Sequence, residues 1–247
     1  MLRVGFISLE DPRNRTCFSG TLFYMYRALD ALAEIEVVVL GQRLHGQTGT
    51  WYRAARFVSR HSKRFRRFML ARSQRRYAQA VRTELESANF DFLVAPVASG
   101  VIARLSQPLP PLLFVTDATP GFLREGYRRS PSRDHVEDER ATVSIADRVV
   151  YSSDFMAARA RTEFAELLGN DPRRVCVVPF GLNMDDAPEA PPHKHLDAEL
   201  RLIFVGADWP RKGGDIALEA LKHLRQSGVN AHLWVIGSSP IEALHEP

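Results

Sequence analysis

The sequence is poor in cysteine and has no long apolar segment, and both absences exclude classes of protein. Of its 247 residues only two are cysteines, Cys17 and Cys176, too few for a disulfide framework or a cluster of metal-binding thiols. None of its apolar runs approaches the roughly 20 residues that a membrane-spanning helix needs. The residues after Met1 are typical of a β-strand rather than of a secretory signal. We therefore expect a reduced, cytoplasmic protein.

Acidic residues are missing from one long segment. Residues 37–83 contain no Asp or Glu but carry twelve of the 33 Lys and Arg residues. The remainder of the chain has 21 basic and 29 acidic residues, a formal charge of −8, although the whole chain has a net charge of +4. The composition, with 45% hydrophobic and 25% charged residues, is that of an ordinary globular protein. The charge pattern indicates an acidic body with a single basic element.

Short apolar runs alternate with longer segments of helical periodicity along residues 1–183. Continuously apolar strands are expected in a parallel sheet that is covered on both faces. The alternation predicts right-handed crossovers, an α/β fold and a doubly wound, Rossmann-like parallel sheet. The predicted strands are Leu2–Ser8, Glu36–Leu40, Phe92–Pro96, Leu112–Thr116, Arg148–Ser152 and Arg174–Pro179, and the predicted helices lie around residues 20–33, 51–88, 98–106, 134–146 and 153–168.

Residues 184–199 break this alternation, because they contain three prolines and little to bury. Such a composition is typical of a linker between domains. The next predicted elements are a strand at 201–206, a helix at 214–226 and a strand at 231–237. We therefore predict a first domain over 1–183 and a linker over 184–199. Residues 200–247 would be the incomplete start of a second Rossmann-like domain, since so few residues cannot bury both faces of a sheet.

The segment 204–215, with the sequence FVGADWPRKGGD, carries the residues best suited to bind an anion. Its strand ends at Gly206, and a helix is predicted to start just after Lys212. A helix N-terminus offers unpaired N–H groups and the positive end of a dipole, and Arg211 adds charge beside it. Gly213 removes a side chain where a ligand would approach. A solvated turn before a glycine-rich helix start explains the same residues.

This string resembles the start of the second domain of family-4 glycosyltransferases, which have the two-Rossmann GT-B architecture. Lys212 and Gly213 match the Lys-Gly of that family, whose lysine contacts the donor diphosphate. Ala207 replaces a family arginine, for which Arg211 would substitute. The resemblance implies a nucleotide-sugar donor, a saccharide or lipid-linked acceptor, and retaining transfer in envelope polysaccharide or glycolipid assembly, with no cofactor and no metal. The expected diphosphate-binding residues are Gly206, Arg211, Lys212 and Gly213.

Two segments of the first domain agree with this resemblance. Ser19, Gly20 and Thr21 lie between the first strand and the first helix, like the small-residue loop of the family near the acceptor and the donor phosphate. Gly20 would allow close approach of the backbone. Asp117 follows a predicted strand where many relatives have a histidine, so it is the candidate catalytic residue, orienting an acceptor hydroxyl or stabilising positive charge. Alternatively, Asp117 only opens the turn before Pro120.

Other features leave alternatives open. Residues 177–183, VVPFGLN, resemble the Pro-x-Gly turn that closes the first domain of the family, and a plain exit turn explains them equally well. The family carries two glutamates separated by seven residues in its second domain, and this chain has no such pair. The alternative function is therefore a non-catalytic module that binds an acceptor or docks on a membrane. His193 and His195 have no carboxylate or cysteine at metal-binding spacing, so no metal site is predicted.

The basic segment 51–82 interleaves arginines with aromatic and aliphatic residues. On a helix its apolar residues share one face with basic residues beside it, an arrangement that can lie in an anionic membrane interface. The expected membrane contacts are Arg56, Arg60, Lys63, Arg64 and Arg67. A helix packed on the sheet with a solvated basic rim is the alternative. Nucleic acid would be attracted by the same charge, but no module for reading bases is visible, so it is the least favoured partner.

Overall fold

A computed structural model describes residues 1–44, 63–126, 131–169, 171–186 and 199–238. Of residues 63–66 it describes the backbone alone. The chain divides into two compact units, Met1–Asp185 and Asp186–Pro247, and each unit has its own parallel sheet. The domain limits at 183 and 200 remain a prediction, because most of the expected linker lies outside the described residues.

The first unit alternates strands and helices, as its sequence predicts. Its strands are β1 (Leu2–Phe6), β2 (Ile35–Val39), β3 (Phe92–Pro96), β4 (Leu112–Thr116), β5 (Arg148–Tyr151) and β6 (Val175–Val177). Its helices are α1 (Thr21–Asp30), α2 (Lys63–Ser87), α3 (Ser99–Ile102), α4 (Pro120–Gly126), α5 (Arg133–Ile145), α6 (Asp154–Glu163) and α7 (Ala165–Leu168). Short 3-10 turns occur at Cys17–Gly20, Gln42–Leu44 and Pro172–Arg174.

Besides α1, which ends at Asp30 rather than near residue 33, two helices are shorter than the sequence pattern predicts. The helix expected over 98–106 ends at Ile102, and the chain then turns toward Pro108, which disfavours helical geometry in the residue before it. The helix expected over 153–168 is interrupted at Phe164, whose φ of −114° and ψ of 24° lie outside the helical region. The ring of Phe164 is buried in the core. Helical periodicity alone therefore overestimated the length of both elements.

The six strands of the first unit form one parallel sheet in the order β2-β1-β3-β4-β5-β6. In this sheet Val4 pairs with Val37, and Val115 pairs with Val150. The strand order reverses between β1 and β3, because the chain first builds the sheet to one side of β1 and then to the other. Ligands of open α/β sheets bind outside the carboxyl ends of the strands, at such a reversal. The predicted doubly wound, Rossmann-like sheet is confirmed.

Both faces of this sheet are buried, which explains why its strands are continuously apolar. On one face, Leu93 and Phe114 pack in a cluster that includes Tyr77 of α2. On the other face, Phe6 and Val94 form a smaller cluster, which α1 covers. Full burial of one such large side chain stabilises a fold by about 1.5–3 kcal/mol. The two clusters together fix the strand positions and so the carboxyl edge of the sheet.

The second half of α2 packs on the sheet. The helical spacing of Tyr77, Val81 and Leu85 predicts this contact, and the structure confirms it: Tyr77 and Val81 are fully buried, and Leu85 packs against the same cluster. The Tyr77 hydroxyl donates a hydrogen bond to the Leu40 carbonyl, and burial raises the Tyr77 pKa.

Among the helices of the described residues, none is both long enough and apolar enough to cross a lipid bilayer.

The second unit is a strand–helix–strand structure within residues 199–238. Its elements are β7 (Leu200–Val205), α8 (Trp209–Lys212), α9 (Gly214–Gln226) and β8 (Ala231–Ile236). The two strands pair in parallel from Leu200–Ala231 to Val205–Ile236. One face of the pair is buried through Phe204 and Ala231, whereas on the other face Ile203, Val205, Trp234 and Ile236 are more than half exposed. The predicted start of a second parallel sheet is confirmed.

Candidate functional site

The loop that leads into α1 has an unusual backbone conformation. Phe18, Ser19 and Gly20 have positive φ angles of 47°, 55° and 86°. Left-handed backbone costs roughly 1–3 kcal/mol at a non-glycine residue, whereas glycine adopts it freely. A side chain at Gly20 would make only ordinary contacts, the nearest at 3.4 Å from the Arg15 carbonyl oxygen. The positive φ therefore favours glycine at position 20, independently of any approach by a ligand.

The exit turn of the first unit holds this loop in place. Asn183 Nδ2 donates hydrogen bonds to the Ser19 carbonyl at 2.9 Å and to the Thr21 hydroxyl at 3.2 Å. Two residues later, Asp185 lies 2.5 Å from Arg27 Nη1, and this contact holds the pKa of Asp185 below its usual range. Asn183 was part of the sequence VVPFGLN, but nothing local in that string indicates a contact with a loop 164 residues earlier.

Asp117 directly follows β4 at the carboxyl edge of the sheet, and it is exposed. The side-chain hydrogen bonds of the following turn come from its neighbours. Thr116 Oγ1 donates to the Ala118 carbonyl at 3.3 Å, and Thr119 Oγ1 accepts from the Phe122 N–H at 3.2 Å. Thr119 therefore stabilises the start of α4. The Asp117 carboxylate takes no part in these two hydrogen bonds and is accessible at the edge of the sheet.

Glu139 is a buried carboxylic acid close to Asp117, and it was not identified from the sequence. It lies in the middle of α5, and 4% of its side chain is exposed. Burial, followed by the charges of Glu163 and Asp117, raises its pKa to about 8. Within the described residues its Oε1 has no hydrogen-bond partner. Its Oε2 lies 3.7 Å from Nε2 of His135, whose pKa is lowered by burial, so both side chains are mainly neutral at pH 7.

Tyr151 and Glu163 belong to the same group of polar side chains. Tyr151, at the end of β5, is fully buried, and in the described part of the chain its hydroxyl has no hydrogen-bond partner. Burial and the nearby Glu139 and Glu163 carboxyls raise its pKa. Glu163, the last residue of α6, accepts a hydrogen bond from the Gly121 N–H at 2.8 Å. Four elements thus bring three carboxyls and one phenol near the carboxyl ends of β4 and β5.

One sequence signal could have identified Glu139. Val136, Glu139 and Val143 occupy positions i, i+3 and i+7 of α5, so the glutamate lies on the apolar stripe of the helix. Charged residues are rarely buried without a partner, and such a position therefore indicates a special role. No local pattern shows that Tyr151 and Glu163 lie near it.

Across the residues that the structure describes, no group of three or more His, Cys, Asp or Glu side chains could hold a metal ion.

The second unit brings together residues predicted to bind a diphosphate. Gly206 follows β7, and the Lys212 side chain crosses it so closely that a Cβ at Gly206 would lie 3.1 Å from Lys212 Cγ. Gly213 has a φ of 77° and separates α8 from α9. Lys212 is exposed, and no carboxylate of the described residues forms an ion pair with it. An ammonium group and the first N–H groups of α9 therefore lie at the carboxyl end of a parallel strand.

Other side chains fix this turn. Asp208 Oδ1 accepts the Arg211 backbone N–H at 3.3 Å, and its Oδ2 lies 3.1 Å from Arg211 Nε. A phosphate contact by Arg211 would therefore compete with this ion pair. The buried Trp209 donates its indole N–H to Asp215 at 2.6 Å, so Asp215 anchors the indole. A Cβ at Gly214 would lie 2.1 Å from the same ring, which explains the glycine there.

The residues predicted to contact a membrane are only partly described. Arg56 and Arg60 lie outside the described residues, and Lys63 and Arg64 are known only by their place in α2. Arg67 Nη2 lies 2.9 Å from Asp134 Oδ1, near the start of α5. This contact lowers the pKa of Asp134. One of the five predicted contacts is thus engaged in an ion pair within the first unit.

A concave surface of about 420 Å³ lies at the amino end of β8, near Asn230 and His232. It is at the opposite end of the strand from the Gly206 edge. Ligands of open parallel sheets bind at the carboxyl ends of the strands. We therefore place the candidate site at the turn around Lys212 rather than at this surface.

Comparisons with known proteins do not establish a function for this chain. No family model and no curated protein sequence matches the chain. Among solved structures it is similar to the glycosyltransferase SnogD from Streptomyces nogalater, with 14% identity, a TM-score of 0.40, and coverage of 99% of this chain and 69% of that one. It is also similar to a UDP-glucosyltransferase from Polygonum tinctorium, with 12% identity, a TM-score of 0.41, and coverage of 95% and 72%. Likeness at this level carries no argument about activity.

Proposed function

We propose that this chain is a glycosyltransferase of the GT-B type, which moves a sugar from a nucleotide-diphosphate sugar to an acceptor. The observation that carries the proposal is the turn in which Gly206, Lys212 and Gly213 meet at the carboxyl end of β7. The string DWPRKGGD within that turn supports the narrower proposal of a family-4, retaining enzyme. Envelope polysaccharide or glycolipid assembly is the corresponding process.

The donor diphosphate would bind at the N-terminal end of α9. The first N–H groups of a helix have no partner inside the helix, and the helix dipole adds positive potential there. Lys212 would add a full positive charge. Negative charge on the diphosphate grows as its bond to the sugar breaks, so these groups would stabilise the transition state more than the bound donor. The proposed catalysis rests on positioning and electrostatics.

The acceptor would bind in the first unit, at the carboxyl edge of its sheet. The Ser19–Thr21 loop lies there because Asn183 holds it, and the Asp117 carboxylate is exposed there. Asp117 would accept a hydrogen bond from an acceptor hydroxyl or stabilise positive charge on the sugar. Burial and the neighbouring acidic groups raise the pKa of Glu139, which favours its protonated form, so near Asp117 it would add a hydrogen-bond donor rather than a further negative charge.

The proposal is tested by removing the Lys212 ammonium. The full chain would be titrated with UDP, GDP and ADP by calorimetry, as wild type and as Lys212→Ala. We expect the substitution to weaken binding of the preferred nucleotide by about tenfold, since a hydrogen bond to a charged group contributes roughly 1.5–3 kcal/mol. Lys222→Ala is the matched control, because Lys222 is on the same unit and lies 3.3 Å from Glu219. Equal affinities of both variants would contradict the proposal.

A membrane-docking, non-catalytic module is the second candidate function. The observation in its favour is that Phe68 and Leu70 of α2 are 61% and 45% exposed in an arginine-rich helix. Docking of this kind would place the protein on the inner face of a membrane. Flotation with anionic and neutral vesicles tests it: Phe68→Ser should lose binding to the anionic vesicles, and Leu32→Ser, at a site 46% exposed in the turn between α1 and β2, should retain it.

A further inference from the structure

A small concave pocket lies between α2 and the turn after α3. Its volume is about 200 Å³, and it is lined by Arg75, Ala78, Gln79, Arg82 and Arg104. The first four residues share one face of α2, because positions i, i+3, i+4 and i+7 of a helix line up. Arg104 comes from the opposite wall. Three of the five lining side chains are therefore guanidinium groups that face one small space.

Close packing of two helices places Arg104 beside α2. A Cβ at Gly100 would lie 1.9 Å from Gln74 Nε2, so α2 and α3 approach each other over a glycine. Arg104 follows one helical turn after Gly100 and donates a hydrogen bond to its carbonyl at 2.5 Å. The same guanidinium lies 2.8 Å from Asp138 Oδ1, and 21% of the Arg104 side chain is exposed. Arg104 is thus a fixed inner wall of the pocket.

The pocket carries more positive than negative charge. Asp138 compensates the charge of Arg104. Arg82 Nε lies 3.8 Å from Glu86 Oε1, and both side chains are more than one third exposed, so this pair contributes little to holding Arg82. Arg75 is exposed, and the described residues contain no ion-pair partner for it. The pocket therefore presents at least one uncompensated guanidinium and a second that a ligand can recruit.

We propose that this pocket binds the phosphate monoester group of a ligand. Guanidinium groups match phosphate oxygens with paired N–H donors, and the Gln79 amide supplies a further donor. The small Ala78 keeps the floor of the pocket open. The volume is several times the roughly 30 Å³ share of one water molecule but below the roughly 300–1,000 Å³ of pockets that enclose a whole small molecule. The pocket therefore takes one phosphate group.

The proposed phosphate pocket is independent of the proposed transfer reaction. It lies on α2 and α3 of the first unit, whereas the diphosphate site around Lys212 belongs to the second. Its ligand is defined by its chemistry, a monoester phosphate, which either a soluble phosphate ester or a lipid headgroup can supply. Lys212→Ala should weaken nucleotide binding without changing phosphate binding at this pocket. A substitution in this pocket should weaken phosphate binding without changing nucleotide binding.

The first test measures binding of inorganic phosphate to the full chain by calorimetry at constant ionic strength. Arg75→Gln removes a lining charge at an exposed position, so folding should be unaffected. We expect it to weaken phosphate binding by about tenfold, as a charge-assisted hydrogen bond is lost. Arg72→Gln is the matched control, because Arg72 is exposed on the same helix but does not line the pocket. Its affinity should remain within about twofold of wild type.

The second test distinguishes the two sources of the phosphate. Vesicles that contain phosphatidic acid present a monoester, and vesicles with the same content of phosphatidylglycerol present a diester. Preference for phosphatidic acid, lost in Arg75→Gln, assigns the pocket to a lipid headgroup. If the chain binds inorganic phosphate or glycerol 3-phosphate but shows no preference for phosphatidic acid, the natural ligand of the pocket is a soluble phosphate ester. Both outcomes support the pocket as a phosphate site.

Three results would overturn the proposal. The first is the absence of phosphate binding at millimolar concentration in the wild-type chain. The second is an equal loss of affinity in Arg72→Gln and Arg75→Gln, which would show a diffuse basic surface rather than a pocket. The third result concerns single-stranded RNA. If RNA binding falls equally in both variants and phosphate does not compete with it, the basic residues form a surface for nucleic acid, and the proposal of a phosphate pocket is wrong.

Discussion

Glu139 is a single residue that couples the stability of the first unit to pH. Its position on the buried stripe of α5 removes the carboxyl from water, and the neighbouring Glu163 and Asp117 disfavour a further negative charge. The folded chain therefore keeps the proton that the unfolded chain releases. The hydroxyl of Tyr151 is also buried near these carboxyls, and burial and their charges raise its pKa.

The first prediction concerns this proton. The pKa of Glu139 is raised from 4.5 to about 8 on folding, so the folded state binds more protons between these values. Its contribution to the free energy of unfolding is complete below about pH 4.5 and is lost as the pH rises to about 8. The slope is at most about 1.4 kcal/mol per pH unit. Glu139→Gln should remove this slope, as measured by urea unfolding across the same pH range.

The control for this prediction is Glu137→Gln, two positions earlier on α5. The Glu137 side chain is 59% exposed and pairs with Arg133, so its removal should leave the slope of the wild type unchanged. The difference between the two variants isolates the buried carboxyl from all other titrating groups. Parallel pH profiles for wild type and both variants would show that Glu139 is already ionised in the folded chain.

At the scale of elements, the candidate site depends on two loops, of which one is held by a residue distant in sequence and the other by local contacts. The Ser19–Thr21 loop is strained, and the exit turn at Asn183 supplies its hydrogen bonds. The turn around Lys212 is held differently, by contacts within a few residues, because Asp215 binds the indole of Trp209. The first loop is therefore the one that a distant substitution can release.

The second prediction releases the loop at Asn183. Asn183→Asp replaces an amide donor with a carboxylate that faces the Ser19 carbonyl oxygen. The hydrogen bond to the Ser19 carbonyl, which contributes about 0.5–1.5 kcal/mol, is lost and replaced by repulsion between two oxygens, whereas the Thr21 hydroxyl can still donate to the carboxylate. Amide hydrogen exchange at residues 19–21 should accelerate by roughly tenfold or more, since about 1.4 kcal/mol corresponds to a factor of ten. Exchange in the core strands should not change.

The neighbouring Leu182→Ala is the control for the loop prediction. Leu182 is 73% exposed and lies next to Asn183 on the same turn. Its truncation should leave exchange at residues 19–21 at the wild-type rate. Acceleration of the same size in both variants would mean that the turn as a whole, rather than the Asn183 amide, holds the loop.

At the scale of the whole molecule, charge and apolar surface are both unevenly distributed. Twelve basic residues fall in one segment without acidic residues, and the remainder of the chain is acidic. In the second unit, one face of β7 and β8 exposes four large apolar side chains, at Ile203, Val205, Trp234 and Ile236. Contiguous exposed apolar surface of this kind binds apolar dyes.

The third prediction tests this exposed apolar face. Ile203 is 66% exposed and pairs directly with Trp234 across the two strands, so Ile203→Lys places a charge in the middle of the stripe. Most of the fluorescence of bound anilinonaphthalene sulfonate should be lost. The control is Ile216→Lys, an isoleucine of the same unit that is 75% exposed but lies on α9. An equal loss in the control would show that the dye does not bind specifically to the exposed face of β7 and β8.

The first unit shows how far the sequence predicts this fold. Its six strands and their parallel arrangement follow from short apolar runs and helical spacing, because those patterns arise from local hydrogen bonding and two-sided burial. The ends of α3 and α6 were not predicted, because the chain turns toward Pro108 after α3 and the buried Phe164 interrupts the helix after α6. Lys212 and Gly213 were predicted as a pair because they match the Lys-Gly that follows the first strand of the second domain in family-4 glycosyltransferases, and their role in binding a diphosphate stays a prediction.

Contacts between distant elements could not be predicted. Asn183 contacts Ser19, and Glu139 comes near enough to Tyr151 to raise its pKa, only once the sheet has placed the carboxyl ends of its strands along one edge. The sequence alone determined the alternation of strands and helices, the segregation of charge and the local turn at Lys212, because each depends on neighbouring residues. The tertiary structure decided which acids are buried together, which loop is tethered and where three arginines enclose a pocket. These depend on packing, which brings together side chains that the chain itself separates.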